Sequence, residues 1–172
     1  MGMGQTMIAA AFFMLLIMSA ISINRMLIEN SQQTYKTAAY DEAITIAHDL
    51  VVEASRKRYD ENNVTGAVKT SAFTSNENLG SDGAGEKVST LPDPSPFLSP
   101  TKYDDFDDYN GYSRTVDGRV IRGFTVSVEV FYVPVNNPNG KTTSRTYMKR
   151  IDVKVKQPTY LDSVMISRIV TY

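Results

Sequence analysis

The first 24 residues of this chain carry no charged side chain, and the polar ones among them are Gln5, Thr6, Ser19, Ser22 and Asn24. Met7 to Ile23 is a run of roughly 17 residues, which at about 1.5 Å per residue covers most of a hydrocarbon layer about 30 Å thick. The pattern then turns polar without a helix breaker. No proline or glycine occurs between Arg25 and Tyr59. The segment from Met1 to about Tyr59 is therefore expected to form one helix, roughly 80 Å long if unbroken. An apolar helix half cannot be left in water, so this feature restricts the chain to a membrane or to a helix bundle made with other chains.

A cleaved secretory signal fits poorly. Such signals open on a basic region and end at a small-residue cleavage site before a polar chain. No Lys or Arg precedes the apolar run, and Ser19-Ala20-Ile21-Ser22-Ile23 lies inside a continuing helical pattern. The segment is expected to be retained.

The second half of the helix, residues 25–60, is amphipathic. Ala39, Ala43, Ala47, Leu50 and Ala54 recur at three- or four-residue spacing, flanked by Ile46 and widened by Ile44 and Val51. Asp41, Asp49, Glu53 and Arg56 are expected on the opposite, solvent face. Residues 61–122 read as an acidic connecting loop rich in Gly, Ser and Pro. Phe73, Phe97, Leu98 and Phe106 are its expected anchor points. Residues 123–172 read as antiparallel sheet. Phe124, Val126, Val128, Val130 and Tyr132 alternate on one face. The run Asn136-Asn137-Pro138-Asn139-Gly140 predicts a hairpin turn. The partner strand is expected from Thr143 to Val155, its apolar face interrupted by Lys149, and a last strand from Ser163 to Tyr172. Three such strands need a cover, which the alanine face supplies. The fold class is α+β: a long N-terminal helix, a connecting loop and a meander packed on the helix, with residues 25–172 as one globular head.

Charge is divided along the chain. From Asp60 to Gly111 ten acids stand against three bases, and from Tyr112 onward ten bases stand against four acids. Electrostatic contact between loop and sheet is expected, within one subunit or between neighbours. The formal net charge of -1 points to no nucleic-acid partner. Arg56-Lys57-Arg58 fits a helix C-terminus, where cations favour the dipole. There is no cysteine and a single histidine, His48. Neither a disulfide, a zinc site nor a Ser-His triad has support, and no residue set points to catalysis.

Helix, long loop and antiparallel meander in this order, over the whole chain, resemble the type IV pilin and pseudopilin superfamily. The resemblance implies a structural subunit, not an enzyme. The chain would sit in the inner membrane before assembly and then in an extracellular filament on the cell surface, built as a helical homopolymer. It implies a prepilin peptidase, methylation of the new N-terminus, and an assembly ATPase and platform as partners. In that family the fifth mature residue is usually glutamate. With Met1 as the mature first residue the fifth is Gln5, which matches glutamate in shape but carries no charge. A neutral amide is cheaper to bury in an apolar core than an unpaired carboxylate. Ile8, Phe12, Phe13, Leu16 and Ile17 are the expected filament-core packing residues. Many pilins break their apolar helix at a glycine or proline. This chain has neither between Thr6 and Asn63, so a continuous helix is expected.

Pilin-like proteins also carry calcium in places between helix and sheet. The only cofactor that the resemblance raises here is calcium, with Asp104, Asp107, Asp108 and Asn110 as candidate ligands, since hard oxygens in a turn suit that ion. Their spacing is not that of an EF-hand, and a solvated acidic turn facing the basic sheet is the alternative. Asn63-Val64-Thr65 fits an N-glycosylation sequon. A minor pilin or a type II secretion pseudopilin fits the same architecture. From another class, so does a single-pass anchored extracytoplasmic binding module that does not polymerise. The filament's role, whether adhesion, motility, DNA uptake or secretion, is open at this point.

Overall fold

A computed structural model describes residues 2–62, 69–83, 85–88 and 91–172. The fold is α+β, a long N-terminal helix followed by a loop and a four-stranded antiparallel sheet. Helix α1 runs Met3–Ser55 as one element. The chain divides into two units, Met1–Thr37 and Ala38–Tyr172. The boundary thus falls within α1, some way past the polarity change at Arg25.

In the first unit every described side chain is exposed. No Pro or Gly interrupts α1 after Gly4. Thr6, Thr34 and Thr37 turn their hydroxyls back onto carbonyls three or four residues earlier, which hides polar groups without breaking the helix.

The second unit, the head, is built around the alanine face. Ala39, Ala43, Ala47, Leu50 and Ala54 are fully buried, with Ile46 and Val51 beside them. They share one core with the sheet residues Phe124, Val126, Val128, Val130, Ile151, Val153, Val155 and Val164. Small residues along the helix let its backbone approach the sheet. Ile44 stays exposed instead of widening the stripe. The helix ends earlier than the expected Tyr59, because the following backbone has other partners. Arg56 and Lys57 close tighter three-residue turns onto Glu53 and Ala54, and the Arg58 carbonyl accepts the Phe106 N–H at 2.8 Å.

Strands β1 (Ser113–Val116), β2 (Phe124–Tyr132), β3 (Met148–Gln157) and β4 (Leu161–Thr171) pair in sequence order. β1 lies inside the span expected to be loop. The four residues of β1, set between Gly111 and Asp117-Gly118, are too few for a visible alternation. Gly111 supplies the backbone that feeds β1: its φ is +79°, a region that favours glycine, and its N–H reaches the Val128 carbonyl. In β2, Phe124, Val126, Val128, Val130 and Tyr132 are buried while Thr125, Ser127 and Glu129 are exposed. Phe131 is on the outer face yet buried, covered by the cations of Lys141 and Arg150 at 4.3 and 5.8 Å.

The β2–β3 connection is no tight hairpin. β2 ends at Tyr132 and β3 begins at Met148, with Tyr132 paired to Lys149. Pro134 and Pro138 have no N–H for the ladder, and the segment folds back so that Thr142 N–H bonds the Tyr132 carbonyl. Among the described residues, the loop before β1 carries three single 3-10 turns and the short helix α2 (Ser99–Lys102). Phe73 and Phe106 anchor it as expected, whereas Phe97 and Leu98 are half-buried. Three tyrosines add a second anchor: Tyr103, Tyr109 and Tyr112 meet edge to face at 4.9 to 6.0 Å.

Candidate functional site

Two features stand out, one in each unit. On the first unit, Ile8, Phe12, Phe13, Leu16 and Ile17 are between 57% and 70% exposed, so none is satisfied within the chain. The helix is long and apolar enough to cross a membrane, and no part of its most apolar stretch is buried. This N-terminal helix is compatible with membrane anchoring. Gln5 is exposed on the same helix, its backbone N–H bonded to the Gly2 carbonyl. Met1 and Asn63 lie outside the described residues.

The second feature is a charged cluster in the head. Lys149, which the sequence pattern leaves as an interruption of an apolar face, is completely buried. Its ammonium donates to Asp107 Oδ1 at 2.6 Å, Asp60 Oδ2 at 2.7 Å and the Tyr59 carbonyl at 3.0 Å. Those three acceptors use the full donor capacity of the group. The rings of Tyr59 and Tyr132 lie 4.6 and 5.3 Å from Nζ and complete an aromatic cage. Asp60 is also fully buried. It accepts from the N–H groups of Asn62 and Thr74 and from the Thr74 hydroxyl.

Asp107 is joined to a second carboxyl. Asp105 Oδ1 accepts the N–H groups of Asp107 and Asp108. Burial, with the Asp107 charge beside it, pushes the Asp105 carboxyl up to about 7. Burial also raises Asp107, against the opposing pull of Lys149. Asp108 rises to about 6, again chiefly by burial. The expected contact between acidic loop and basic sheet is thus found within one subunit, as Lys149 with Asp107.

The four candidate calcium ligands do not come together. Asp104 pairs with Arg58, and Asp107 pairs with Lys149. Asp108 Oδ2 accepts the Asp104 and Asp105 N–H groups. Asn110 bridges backbone, donating to the Leu79 carbonyl and accepting the Val130 N–H. Each of the four side chains therefore has a protein partner of its own. Among the described residues, the acidic oxygens that do converge belong to Glu61, Asp82 and Glu86, within 4.8 Å of one another on the surface.

Glu53 is a further residue whose place the helical pattern misses. It was expected in solvent, but Oε1 accepts the hydroxyls of Ser99 and Tyr109, each at 2.8 Å, and Oε2 lies 3.6 Å from Arg114 Nη1. Arg114 is buried in β1 and stacked on Phe97. The signal that could have located this site is the single basic residue within the short β1.

Searches against protein-family models, curated proteins and solved structures find no match.

Proposed function

We propose that this chain is a structural subunit of a type IV pilus-like filament, held in a membrane by its N-terminal helix before assembly. The observation that carries the proposal is the division of apolar surface. The head buries most of its apolar sheet face under the Ala39-to-Ala54 stripe, with Ile166 and Val170 of β4 half-buried at its margin. The first unit, by contrast, presents Met7 to Ile23 with every side chain exposed. Such a surface is stable only against lipid or other helices. Because α1 continues into the head core without interruption, force applied to the apolar part reaches the head through helical backbone.

In this proposal, N-terminal helices of successive copies pack on one another through Ile8, Phe12, Phe13, Leu16 and Ile17. Apolar area removed from water contributes about 25 cal/mol per Å2. The starting state is lipid, itself apolar, so extraction needs outside work, and an assembly ATPase supplies it. Contacts that repeat head to tail without closing give an open filament. Gln5 lies at the end of this surface as a neutral hydrogen-bonding group.

The test is substitution of Ile8, Phe12 or Leu16 by Asp in the native cells, followed by electron microscopy of sheared surface material. Loss of filaments with the head still folded is expected. Filaments of unchanged number and morphology would contradict the proposal. A wild-type chain that is never found in surface filaments would favour the single-pass anchored module.

A further inference from the structure

We propose that the buried cluster around Lys149 is a self-modifying site, in which Lys149 Nζ forms an isopeptide bond with the side-chain carboxyl of Asp60. The geometry is that of amine and acid held in contact. Nζ is 2.7 Å from Asp60 Oδ2, and both side chains are fully buried. Reacting groups fixed in this way behave as if present at about 10⁵ M or more, and burial excludes the water that would favour the separate ions. The residues lie 89 positions apart in sequence, so the product would tie the segment after α1 to β3.

The site also holds the auxiliary groups that amide formation needs. Asp60 receives N–H groups from Thr74 and Asn62 and the Thr74 hydroxyl, donors suited to an oxygen that gains charge during attack. Asp107 touches the same Nζ at 2.6 Å and is placed to carry protons. Tyr59 and Tyr132 close over the amine.

The steps balance without a co-reactant. One ammonium proton passes through Asp107 to the Asp60 carboxylate, leaving a neutral amine and a neutral acid. The amine lone pair attacks Asp60 Cγ, forming the C–N bond and moving the carbonyl π pair onto oxygen. Nζ then releases a second proton to Asp107, which returns it to the departing hydroxyl. The carbonyl re-forms, the C–O bond breaks and one water leaves. Asp107 ends as it began. Burial raises the Asp107 carboxyl and so favours its service as a proton carrier.

The experiment is mass spectrometry of the full-length protein, extracted in detergent and fully denatured, together with its tryptic peptides. The expected intact mass is lower than that of the linear chain by one water. The digest should contain a branched peptide joining residues 59–69 to 146–150, with no cleavage after Lys149. Lys149→Arg should yield linear peptides only. Asp107→Asn, checked for folding by its thermal transition, should also leave the bond unformed. A wild-type chain with linear peptides cut after Lys149 would overturn the proposal. So would a water loss that maps to Asp82-Gly83 or Asp117-Gly118, where an aspartyl-glycine pair can cyclise. Full crosslinking in folded Asp107→Asn would overturn the role given to Asp107. The branched peptide does not involve the N-terminus, so its presence or absence is independent of filament assembly.

Discussion

Glu53→Ala distinguishes a solvent-facing glutamate from a buried hub. On an exposed helix face the change would shift stability by no more than about 0.5 kcal/mol. In the structure the carboxylate serves three groups at once. Ser99 and Tyr109 are both fully buried, and each loses its acceptor at a cost of about 1 kcal/mol. Arg114 is 6% exposed and its Nε has no hydrogen-bond partner among the described residues, so it loses its counter-charge. Breaking a fully buried pair costs about 3–5 kcal/mol. The Glu53 side chain is 21% exposed, so water partly replaces it and that figure must be reduced. Together the losses come to about 3 kcal/mol. The assay is urea unfolding of a fragment beginning at Arg25, with the midpoint expected to fall and the m-value to hold. Glu53→Gln keeps an acceptor for the two hydroxyls and should lie between. Asp49→Ala, an exposed neighbour on the same helix, should be neutral. A Glu53→Ala fragment as stable as Asp49→Ala would refute the reasoning.

The acidic cluster gives stability a definite pH slope. Asp105, raised to about 7, and Asp108, raised to about 6, hold their protons more tightly folded than unfolded, so folding takes up protons above the ordinary carboxylate range. Their contribution is fully present below about pH 4 and is lost as pH rises through 6 to 7, by at most about 7 kcal/mol for two carboxyls raised from 3.8 to about 7 and about 6. Thermal unfolding against pH should show the decline, and Asp105→Asn, which can still accept the two N–H bonds, should flatten it; an unchanged slope in that variant would argue against the assignment. Ala47→Leu should destabilise the head by about 1–3 kcal/mol, because the helix face against the sheet leaves no room for a larger side chain; an unaltered urea midpoint would show looser packing. In a Glu86→Gln variant, which breaks up the surface carboxylate trio, calcium should leave the thermal midpoint unchanged, since Asp104, Asp107, Asp108 and Asn110 are engaged by protein groups; a calcium-dependent rise in that variant would restore the metal site.

Much of the fold was legible because it rests on periodicity. The Ala39-to-Ala54 stripe and the alternation of β2 are strong repeats of 3.6 and 2 residues, and both faces are buried where expected. What escaped was set by long-range polar partners. Glu53 sits where local pattern assigns a charge to water and Lys149 where it interrupts an apolar face; Arg114, Asp60 and Asp107 meet them from distant segments. β1 escaped for a related reason, since its four residues are organised by pairing with β2 rather than by their own alternation. The run 136–140 does turn, with the Gly140 N–H on the Asn137 carbonyl, but within a connection longer than a tight hairpin. Two prolines and the fold-back at Thr142 widen that connection. In the acidic run 104–108, Asp104 pairs with Arg58, Asp107 with Lys149, and Asp108 accepts backbone N–H groups, partners that composition does not show.

The most direct test of the central claim is to shear surface material from the native cells, purify any filaments and identify their main protein by mass spectrometry, with immunogold labelling of the head along their length. The account predicts this chain as a regularly spaced component, absent from filaments when Leu16 is changed to Asp. Recovery of the chain from the membrane fraction alone, with unlabelled filaments or none, would contradict it.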